Sequence, residues 1–447
     1  MKRIFILALD GTPYSFLLRM IKSGRMPNLA KLAEKAPLRQ MDSVIPSVSS
    51  VAWASFMTGK QPHEHGIMGF IDRNPVTMDW YVPLADRLKS KTIFEILSAT
   101  EKRVFVMNVP LTYPPKPING ISIPGFLCSD ITKGTFPVEL GTVLKARDYK
   151  IDANTELAKT NLSLFYDELS KVFDKRVETM WHFWQQESWD FFMTHIMETD
   201  RLHHFFWEYM ENDHPDFGPK FNCFYEKIDS VIGQIVNQIP ENMSLMILSD
   251  HGFTTMKSEF YLNQWLREKG YLCSDKSIPE TLKDLSSETK AYSLYPGRIF
   301  INLKGREKYG KVEPGIEYEN LRQELIHRLL QISDPQNENQ IIEKVILGED
   351  IYSGTTKTNL ILKSKNETDI MKRSIPDLIA IAKPGYDLKG NLWRKHLFEK
   401  TVFNGMHTFD DAFVLLRHGE LPDRRLQISD LALQVLTLFK IDKFELN

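Results

Sequence analysis

Six acidic and imidazole side chains stand where local patterns place the ends of strands or loops. Carboxylate oxygens and imidazole nitrogens are the usual protein ligands of zinc and related divalent metals, so together these side chains indicate a metal site. They are Asp10, Asp200, His204, Asp250, His251 and His407. Only the whole set indicates a metal site, since each member alone also has an ordinary structural interpretation.

These ordinary interpretations stay open at the level of sequence. Asp10, after an apolar run, is also typical of a turn or a helix cap. Asp200 and His204 are four residues apart, which places both on one face of a helix, but a surface pair has the same spacing. In the same segment, DRLHH, His203 is an alternative to His204. The tripeptide DHG and the loop histidine His407 are weak signals on their own.

A cluster of hydroxyl side chains forms a second chemical feature, in the segment PSVSSVAWASFMTG at residues 46–59. A serine hydroxyl is a weak nucleophile unless a base or a bound metal promotes its deprotonation, so a serine beside a metal site could act as one. From chemistry alone Ser47, Ser49 and Ser50 are equivalent candidates. Ser49 precedes a predicted helix, where it would also serve as N-cap, and Gly59 is a natural C-terminal stop for that helix.

The elements that must position these residues alternate along the chain. Short apolar runs at 4–9, 104–109, 190–196 and 244–248 end in polar or turn residues. Helical patterns lie between them, at 13–23, 26–35, 50–58, 92–100, 163–187, 200–211 and 218–238. This alternation favours an α/β fold with a mainly parallel sheet, in which sites form outside the carboxyl ends of the strands.

Other stretches depart from this pattern. Residues 71–90 and 110–160 are rich in proline, glycine and aromatic residues, and we expect them to be excursions from the sheet. A further helix–strand–helix–strand pattern predicts an inserted, smaller α/β subdomain that acts as a cap. The chain then returns through an apolar strand, the loop FNGMHTFDD and a closing helix. We therefore predict a catalytic core of residues 1–257 and 381–447, with the subdomain at 258–380.

Composition limits the class of protein. The 447 residues are 42% hydrophobic and 26% charged, as in ordinary globular proteins, and the net charge of −2 gives no general attraction to nucleic acid or membranes. The three cysteines, Cys128, Cys223 and Cys273, are too scattered for a disulfide framework, which favours a reducing, cytoplasmic compartment. The N-terminal apolar run lasts only from Ile4 to Leu9, so we interpret it as a strand and not as a signal peptide. The sequence contains no apolar stretch of about 18 residues, so we expect no membrane-spanning helix.

Five motifs together resemble the alkaline phosphatase superfamily, and within it the type I phosphodiesterase / nucleotide pyrophosphatase family. ALDG, VAWASFMTGKQPHEHGI, METDRLHHFFW, LSDHGF and a late GMH occur in the family's order, from Asp10 to His407. The resemblance implies an alkaline-phosphatase-like three-layer sandwich with a mainly parallel central sheet and an inserted smaller α/β subdomain. In this family the nucleophilic hydroxyl lies nine residues before the threonine of the TG pair, here Thr58, which implies Ser49. Many relatives have threonine at that position.

The resemblance also implies two metal sites and a reaction. One ion would be held by Asp200, His204 and His407, and the other by Asp10, Asp250 and His251 together with Ser49. The ions would be two divalent cations, zinc in the first place and manganese as the alternative. The implied reaction is metal-dependent hydrolysis of phosphodiester or nucleotide pyrophosphate bonds through a phosphoseryl intermediate. Its partner would be a small phosphate ester or nucleotide, with no specific nucleic acid and no membrane.

Alternatives to this function remain at the level of sequence. A cofactor-independent phosphoglycerate-type phosphomutase or a phosphomonoesterase of the same superfamily would use the same metals. From another class, the chain could be a non-catalytic metal-containing protein that binds a phosphorylated ligand. The sequence does not fit a sulfatase of this superfamily, which has arginine four residues after the modified Cys or Ser; here the residue four after Ser49 is Trp53. Trp53, Phe70, Tyr113 and Phe126 could stack on a substrate base or simply pack in the core.

Overall fold

The secondary structure is described for residues 2–352, 375–392 and 394–441 of a computed structural model. The strands are β1 Ile4–Leu9, β2 Arg39–Asp42, β3 Asp72–Asn74, β4 Asp79–Tyr81, β5 Val104–Met107, β6 Gly120–Ile123, β7 Phe191–Ile196, β8 Ser244–Leu248, β9 Gly252–Thr255, β10 Ser258–Tyr261, β11 Ala291–Leu294, β12 Arg298–Ile301, β13 Ile342–Leu347, β14 Leu378–Ala382, β15 Tyr386–Lys389, β16 Phe398–Glu399, β17 Gly405–Thr408, β18 Ala412–Arg417 and β19 Leu426–Gln427. The helices are α1 Tyr14–Lys22, α2 Pro27–Ala33, α3 Ser49–Thr58, α4 Pro62–His65, α5 Ile93–Ala99, α6 Ile131–Gly134, α7 Glu139–Ala146, α8 Glu156–Thr160, α9 Leu162–Trp184, α10 Glu198–Glu211, α11 Phe217–Gln238, α12 Leu262–Glu268, α13 Ile316–Leu330, α14 Gly348–Tyr352 and α15 Asp430–Leu438. Within these ranges no helix combines the length and the apolar character needed to cross a membrane.

The central sheet has eight strands in the order β19-β2-β18-β8-β1-β7-β5-β6. The strands from β8 to β6 in this order are all parallel to one another. β18 runs antiparallel to both of its neighbours, β2 and β8. The predicted α/β fold with a mainly parallel sheet is therefore confirmed.

Helices cover both faces of this sheet. Alternation along β1 sends Phe5, Leu7 and Leu9 to one face, where they join a large apolar core with residues of α9, α10 and α11. The intervening residues of β1 are fully buried as well. They point to the opposite face, the side of α3, α5 and α15, which contact one another. The result is the three-layer arrangement that the family resemblance implied.

The sheet extends into a segment that the sequence pattern assigns to an excursion. β6 lies within residues 110–160, yet it pairs in parallel with β5 as the edge strand, so this part of the prediction is wrong. β6 begins at Gly120, a residue that weakens a strand signal. The glycine is required there, because a Cβ at this position would lie 1.7 Å from the carbonyl oxygen of Val104. β5 in turn ends before the predicted residue 109, since Asn108 adopts a left-handed φ of 64°.

The chain divides into two compact units. The first comprises Met1–Ile67, Leu84–Thr255 and Val402–Asn447, and the second comprises Met68–Pro83 and Met256–Thr401. The second unit has its own apolar core, built around the sheets β15-β10-β16 and β11-β12-β14-β13. It is larger than the predicted segment 258–380, because β10 pairs with both β15 and β16. The hairpin β3–β4 belongs to this second unit, and Nη2 of its buried Arg73 lies 2.6 Å from Oε1 of Glu307. The role of this unit as a cap stays a prediction.

The carboxyl ends of three neighbouring strands gather the candidate residues of the first unit. Asp10 directly follows β1, and Asp250 and His251 lie just beyond the end of β8. After β7 the chain enters α10, which carries Asp200. The predicted loop FNGMHTFDD is partly a strand, β17, whose pairing with β9 sets His407 opposite Phe253. Residues far apart in the chain are thus brought to one edge of the sheet.

Candidate active site

Ser49 lies among residues from the ends of β1 and β8. Its hydroxyl oxygen is 3.1 Å from Asp10 Oδ1 and 3.2 Å from His251 Nε2. Asp10, Asp250 and His251 are completely buried, whereas Ser49 retains 8% of its surface. Asp250 Oδ2 lies 3.3 Å from His251 Nε2. The serine hydroxyl is therefore the accessible end of a buried cluster of carboxylate and imidazole groups.

A second cluster joins α10 to β17. His407 Nε2 lies 3.2 Å from Asp200 Oδ1 and 3.0 Å from His204 Nε2. The ring of His407 also stacks on that of His251, with the ring centroids 3.7 Å apart. This stacking makes the two clusters one continuous site. The side chains of His204 and His407 keep 21% and 13% of their surface exposed, so the site opens on their side.

The three histidines of the site share one tautomer, fixed by backbone carbonyls. Nδ1 of His204, His251 and His407 lies 3.1 Å, 3.1 Å and 3.0 Å from the carbonyl oxygens of Gly405, Gly252 and Ser47, respectively. A carbonyl oxygen can only accept, so in each ring Nδ1 carries the proton and donates it. Each Nε2 then presents a lone pair towards the site, which is the orientation that metal-binding histidines adopt.

In both Asp250 and Asp200, one carboxylate oxygen is held by a hydrogen bond and the other faces the site. Asp250 Oδ1 accepts a hydrogen bond from the backbone N–H of Gly11 at 3.0 Å, while its buried Oδ2 has no hydrogen-bond partner among the residues that the structure describes. Asp200 Oδ2 accepts from Arg201 Nη1 at 2.8 Å, and its Oδ1 faces the histidines. Arg201 is itself anchored by Asp152, at 2.6 Å.

The electrostatics of this arrangement favour a bound cation. Burial, together with the negative charge of Asp10, raises the pKa of Asp250 well above its ordinary value. Burial also raises the pKa of Asp200, but His204, His407 and Arg201 outweigh it and hold this pKa well below the ordinary range. Burial lowers the pKa of His251 to about 3 and that of His204 to about 4. Burial lowers the pKa of His407 too, but the hydrogen bond and charge of Asp200 outweigh it, so this pKa is raised. Buried carboxylates are costly unless a cation compensates their charge.

Two groups of ligand atoms are close enough to hold a metal ion within the described part of the chain. The donor atoms of Asp200, His204 and His407 all lie within 4.8 Å of one another, as do those of Asp10, Asp200 and His251. The first group has the predicted membership. In the second, Asp200 stands where Asp250 was predicted, although Asp250 Oδ2 also lies close by, 3.3 Å from His251 Nε2. The oxygen and nitrogen donors, the histidine tautomers and the free oxygen of Asp250 all fit divalent metal binding.

Two open alternatives are decided by these contacts. His203 Nδ1 lies 3.0 Å from the carbonyl oxygen of Gly11, and its Nε2 lies 2.7 Å from the hydroxyl of Tyr225. Both ring nitrogens are thus satisfied away from the site, and it is His204 that faces Asp200. The N-cap interpretation of Ser49 is wrong, since helix α3 starts at Ser49 itself and no side chain caps it.

Sequence reasoning yielded no prediction for His195 and left Trp53 open between stacking on a substrate and packing in the core. His195 Nε2 lies 2.7 Å from Asp10 Oδ2, and Trp53 Nε1 donates to the same oxygen at 2.9 Å. Trp53 is fully buried in helix α3, so the hypothesis that it stacks on a substrate base is wrong. The only signal for His195 was a polar ring inside an otherwise apolar strand, FFMTHI.

Several solved structures share this fold. The chain is similar to phosphonoacetate hydrolase from Sinorhizobium meliloti 1021 in complex with phosphonoformate, at 17% identity and a TM-score of 0.65, covering 98% of this chain and 95% of that one. It is also similar to an inactive variant of murine ectonucleotide pyrophosphatase / phosphodiesterase 5 in complex with AMP, at 12% identity and a TM-score of 0.57, covering 99% and 96%. The human enzyme gives 13% identity, a TM-score of 0.56 and the same coverage. Identities this low show the fold alone.

Comparison of the sequence itself gives the family. No curated protein matches the sequence. A family model does match, over residues 4–410, which include every candidate residue from Asp10 to His407. The chain therefore belongs to the type I phosphodiesterase / nucleotide pyrophosphatase family and is a phosphohydrolase of that type.

Proposed function

We propose that the protein hydrolyses phosphodiester or nucleotide pyrophosphate bonds of small molecules, with Ser49 as the nucleophile and two divalent cations as cofactors. The observation that carries this proposal is the position of the Ser49 hydroxyl, 3.1 Å from Asp10 Oδ1 and 3.2 Å from His251 Nε2. Ser49 is also the first residue of helix α3.

The first step is attack of Ser49 Oγ on phosphorus. The hydroxyl donates its hydrogen bond to Asp10 Oδ1, and His251 Nε2 lies 3.2 Å from the same hydroxyl oxygen. A bond forms between Oγ and phosphorus while the bond from phosphorus to the leaving oxygen breaks, and the proton of the hydroxyl passes through solvent to the leaving oxygen. In the second step water attacks phosphorus, the bond from phosphorus to Oγ breaks, one proton of the water returns to Ser49 Oγ, and the phosphorylated product is released.

The start of helix α3 supports binding of the phosphoryl group. The first N–H groups of a helix have no partner within the helix, and its positive end favours an anion. Because Ser49 is the first residue of α3, a phosphoryl group attached to its oxygen would lie at these N–H groups. Helix α3 has ten residues, and Gly59, with a left-handed φ of 65°, caps its C-terminal end.

The cations would be held by Asp200, His204 and His407 on one side and by Asp10, Asp250 and His251, together with Ser49, on the other; the donor atoms of Asp10, Asp200 and His251 also lie within 4.8 Å of one another. When bound, such cations stabilise the negative charge that develops on the attacking and leaving oxygens. Mixed oxygen and nitrogen donors suit zinc first and manganese second. The ligands named for the similar solved structures, phosphonoformate and AMP, support a small phosphorus-containing substrate. The three free cysteines are compatible with the predicted cytoplasmic location.

The test compares Ser49→Ala with Ser50→Ala. Ser50 is the matched control because it is the next residue, is also buried, and its hydroxyl has no hydrogen-bond partner in the described part of the chain. With bis-p-nitrophenyl phosphate as substrate, we expect Ser49→Ala to lower kcat by at least about 10³-fold. Its zinc content should stay close to that of the wild type, and Ser50→Ala should remain active. Turnover that survives in Ser49→Ala would overturn the covalent step.

Metal dependence and substrate class need separate measurements. Removal of metal with a chelator should abolish turnover, and Zn²⁺ should restore it more fully than Mg²⁺. Faster turnover of p-nitrophenyl phosphate than of the diester would favour a phosphomonoesterase. Isomerisation of 3-phosphoglycerate without release of phosphate would favour the phosphomutase. Zinc binding without turnover of any of these substrates would favour the non-catalytic alternative.

A further inference from the structure

The two oxygens of Asp10 have different surroundings. Oδ1 faces the site, 3.1 Å from Ser49 Oγ and 3.6 Å from His251 Nε2. Oδ2 faces away from it and is contacted by His195 Nε2 at 2.7 Å and Trp53 Nε1 at 2.9 Å. Asp10, His195 and Trp53 are all completely buried. The rotation of the carboxylate is thus set by donors that lie behind it.

His195 is used differently from the three histidines that present lone pairs to the site. A carboxylate oxygen accepts hydrogen bonds, so the proton of His195 is on Nε2, the nitrogen that faces Asp10. Its Nδ1 is buried and makes no hydrogen bond to any residue described by the structure. The ring is held by Trp53, edge to face at 86°, with the ring centroids 4.9 Å apart. In strand β7 it lies beside Ala8 of β1, two residues before Asp10.

Burying a histidine in an apolar strand costs free energy unless its polar atoms form hydrogen bonds. An apolar side chain would fill the same space in β7 without that cost. The contact that distinguishes the imidazole from an apolar residue is the one with Asp10 Oδ2. Histidine at this position therefore has to be explained through Asp10.

We propose that His195 is a positioning residue for the hydrolysis, which together with Trp53 holds Asp10 so that only Oδ1 faces Ser49 and the metal. This inference rests on the proposed function. Without the His195 donor, Oδ2 loses its closest partner and is held by Trp53 alone, so the orientation of the carboxylate is less well fixed. Residues that orient a metal ligand in this way typically change metal affinity or activity by about 10–100-fold when they are replaced.

The test compares two substitutions of similar size. His195→Gln keeps an N–H donor that can reach Asp10 Oδ2, whereas His195→Leu has none. Zn²⁺ affinity is measured by competition with a chromophoric chelator, and kcat and KM with bis-p-nitrophenyl phosphate. We expect His195→Leu to bind one of two zinc ions about 10–100-fold more weakly and to lose kcat more than KM. His195→Gln should stay closer to the wild type, and the exposed histidine change His327→Leu should have no effect.

Other outcomes separate the inference from the function on which it rests. If His195→Leu and His195→Gln bind zinc as tightly as the wild type, or lose affinity equally, His195 only fills space and the inference is overturned. If the leucine variant does not fold, Trp53→Phe decides, because it removes the second donor to Oδ2 and keeps an aromatic ring. Unchanged zinc affinity and kcat in Trp53→Phe would then overturn the inference. If the wild type itself neither binds zinc nor hydrolyses the diester, the proposed function fails and the inference falls with it.

Discussion

A buried ion pair links the long helix α9 to the helix that carries Asp200 and His204. Arg176 of α9 contacts Glu198, the first residue of α10, with Nη2 2.6 Å from Oε1 and Nε 2.9 Å from the same oxygen. The two side chains are 0% and 1% exposed. Arg176 also donates to the hydroxyl of Tyr149 and, at 2.9 Å, to the carbonyl oxygen of Ile151. The guanidinium therefore donates hydrogen bonds to several buried partners, and its positive charge compensates the buried carboxylate of Glu198.

Replacing Arg176 by methionine should destabilise the protein by about 3–5 kcal/mol, because the carboxylate of Glu198 is then buried without a partner. The double variant Arg176→Met/Glu198→Met should recover most of this loss, since no buried charge remains. A residual cost of about 1–3 kcal/mol is expected, because the Ile151 carbonyl and the Tyr149 hydroxyl lose their partner. The exposed pair Lys159–Glu156, with side chains 52% and 72% exposed, is the control. Lys159→Met should cost less than about 1 kcal/mol.

The assay is urea unfolding followed by far-UV circular dichroism. Excess chelator is present throughout, so that metal binding does not add to the free energy of unfolding. Two results would refute the reasoning. One is a cost below about 1 kcal/mol for Arg176→Met, the scale of an exposed ion pair. The other is a double variant that loses as much as the two single variants together, since this would mean that the two charges do not interact.

Two further predictions concern the site and its helix. Burial and the charge of Asp10 raise the pKa of Asp250. In metal-free protein the folded state therefore binds the proton of this carboxyl more tightly than the unfolded state does. The free energy of unfolding should fall as pH rises from the ordinary aspartate pKa of about 3.9 towards the raised pKa of Asp250. Metal-free Asp250→Asn should therefore be more stable than the wild type at pH 7, with a gap in melting temperature that narrows towards pH 4; a constant gap would contradict this. Gly59 has a φ of 65°, so Gly59→Ala should cost about 1–2 kcal/mol in chemical unfolding, and Gly59→Asn less, whereas equal costs would argue against backbone strain.

Local patterns were sufficient for most of the elements and for the chemical types of the site residues. Apolar runs that end in a polar residue mark buried strands, and this signal located β1, β7 and β8 together with Asp10, Asp250 and His251. Glycine after a helical segment marks a stop, as Gly59 does for α3. The same signals failed for β6, because an edge strand that starts at Gly120 has little local pattern and depends on the neighbouring strand.

Only the tertiary structure decided how the residues of the site share their work. His203 and His204 are adjacent, and the packing of α10 determines which of them faces Asp200. The contact of His195 with Asp10 depends on the register of β7 against β1. The sequence alone determined which side chains could bind metal and where the strands that carry them end, because both follow from residue type and local periodicity. Which nitrogen carries a proton, which oxygen is free and which residues lie behind the ligands depend on contacts between distant segments, and these exist only once the sheet has formed.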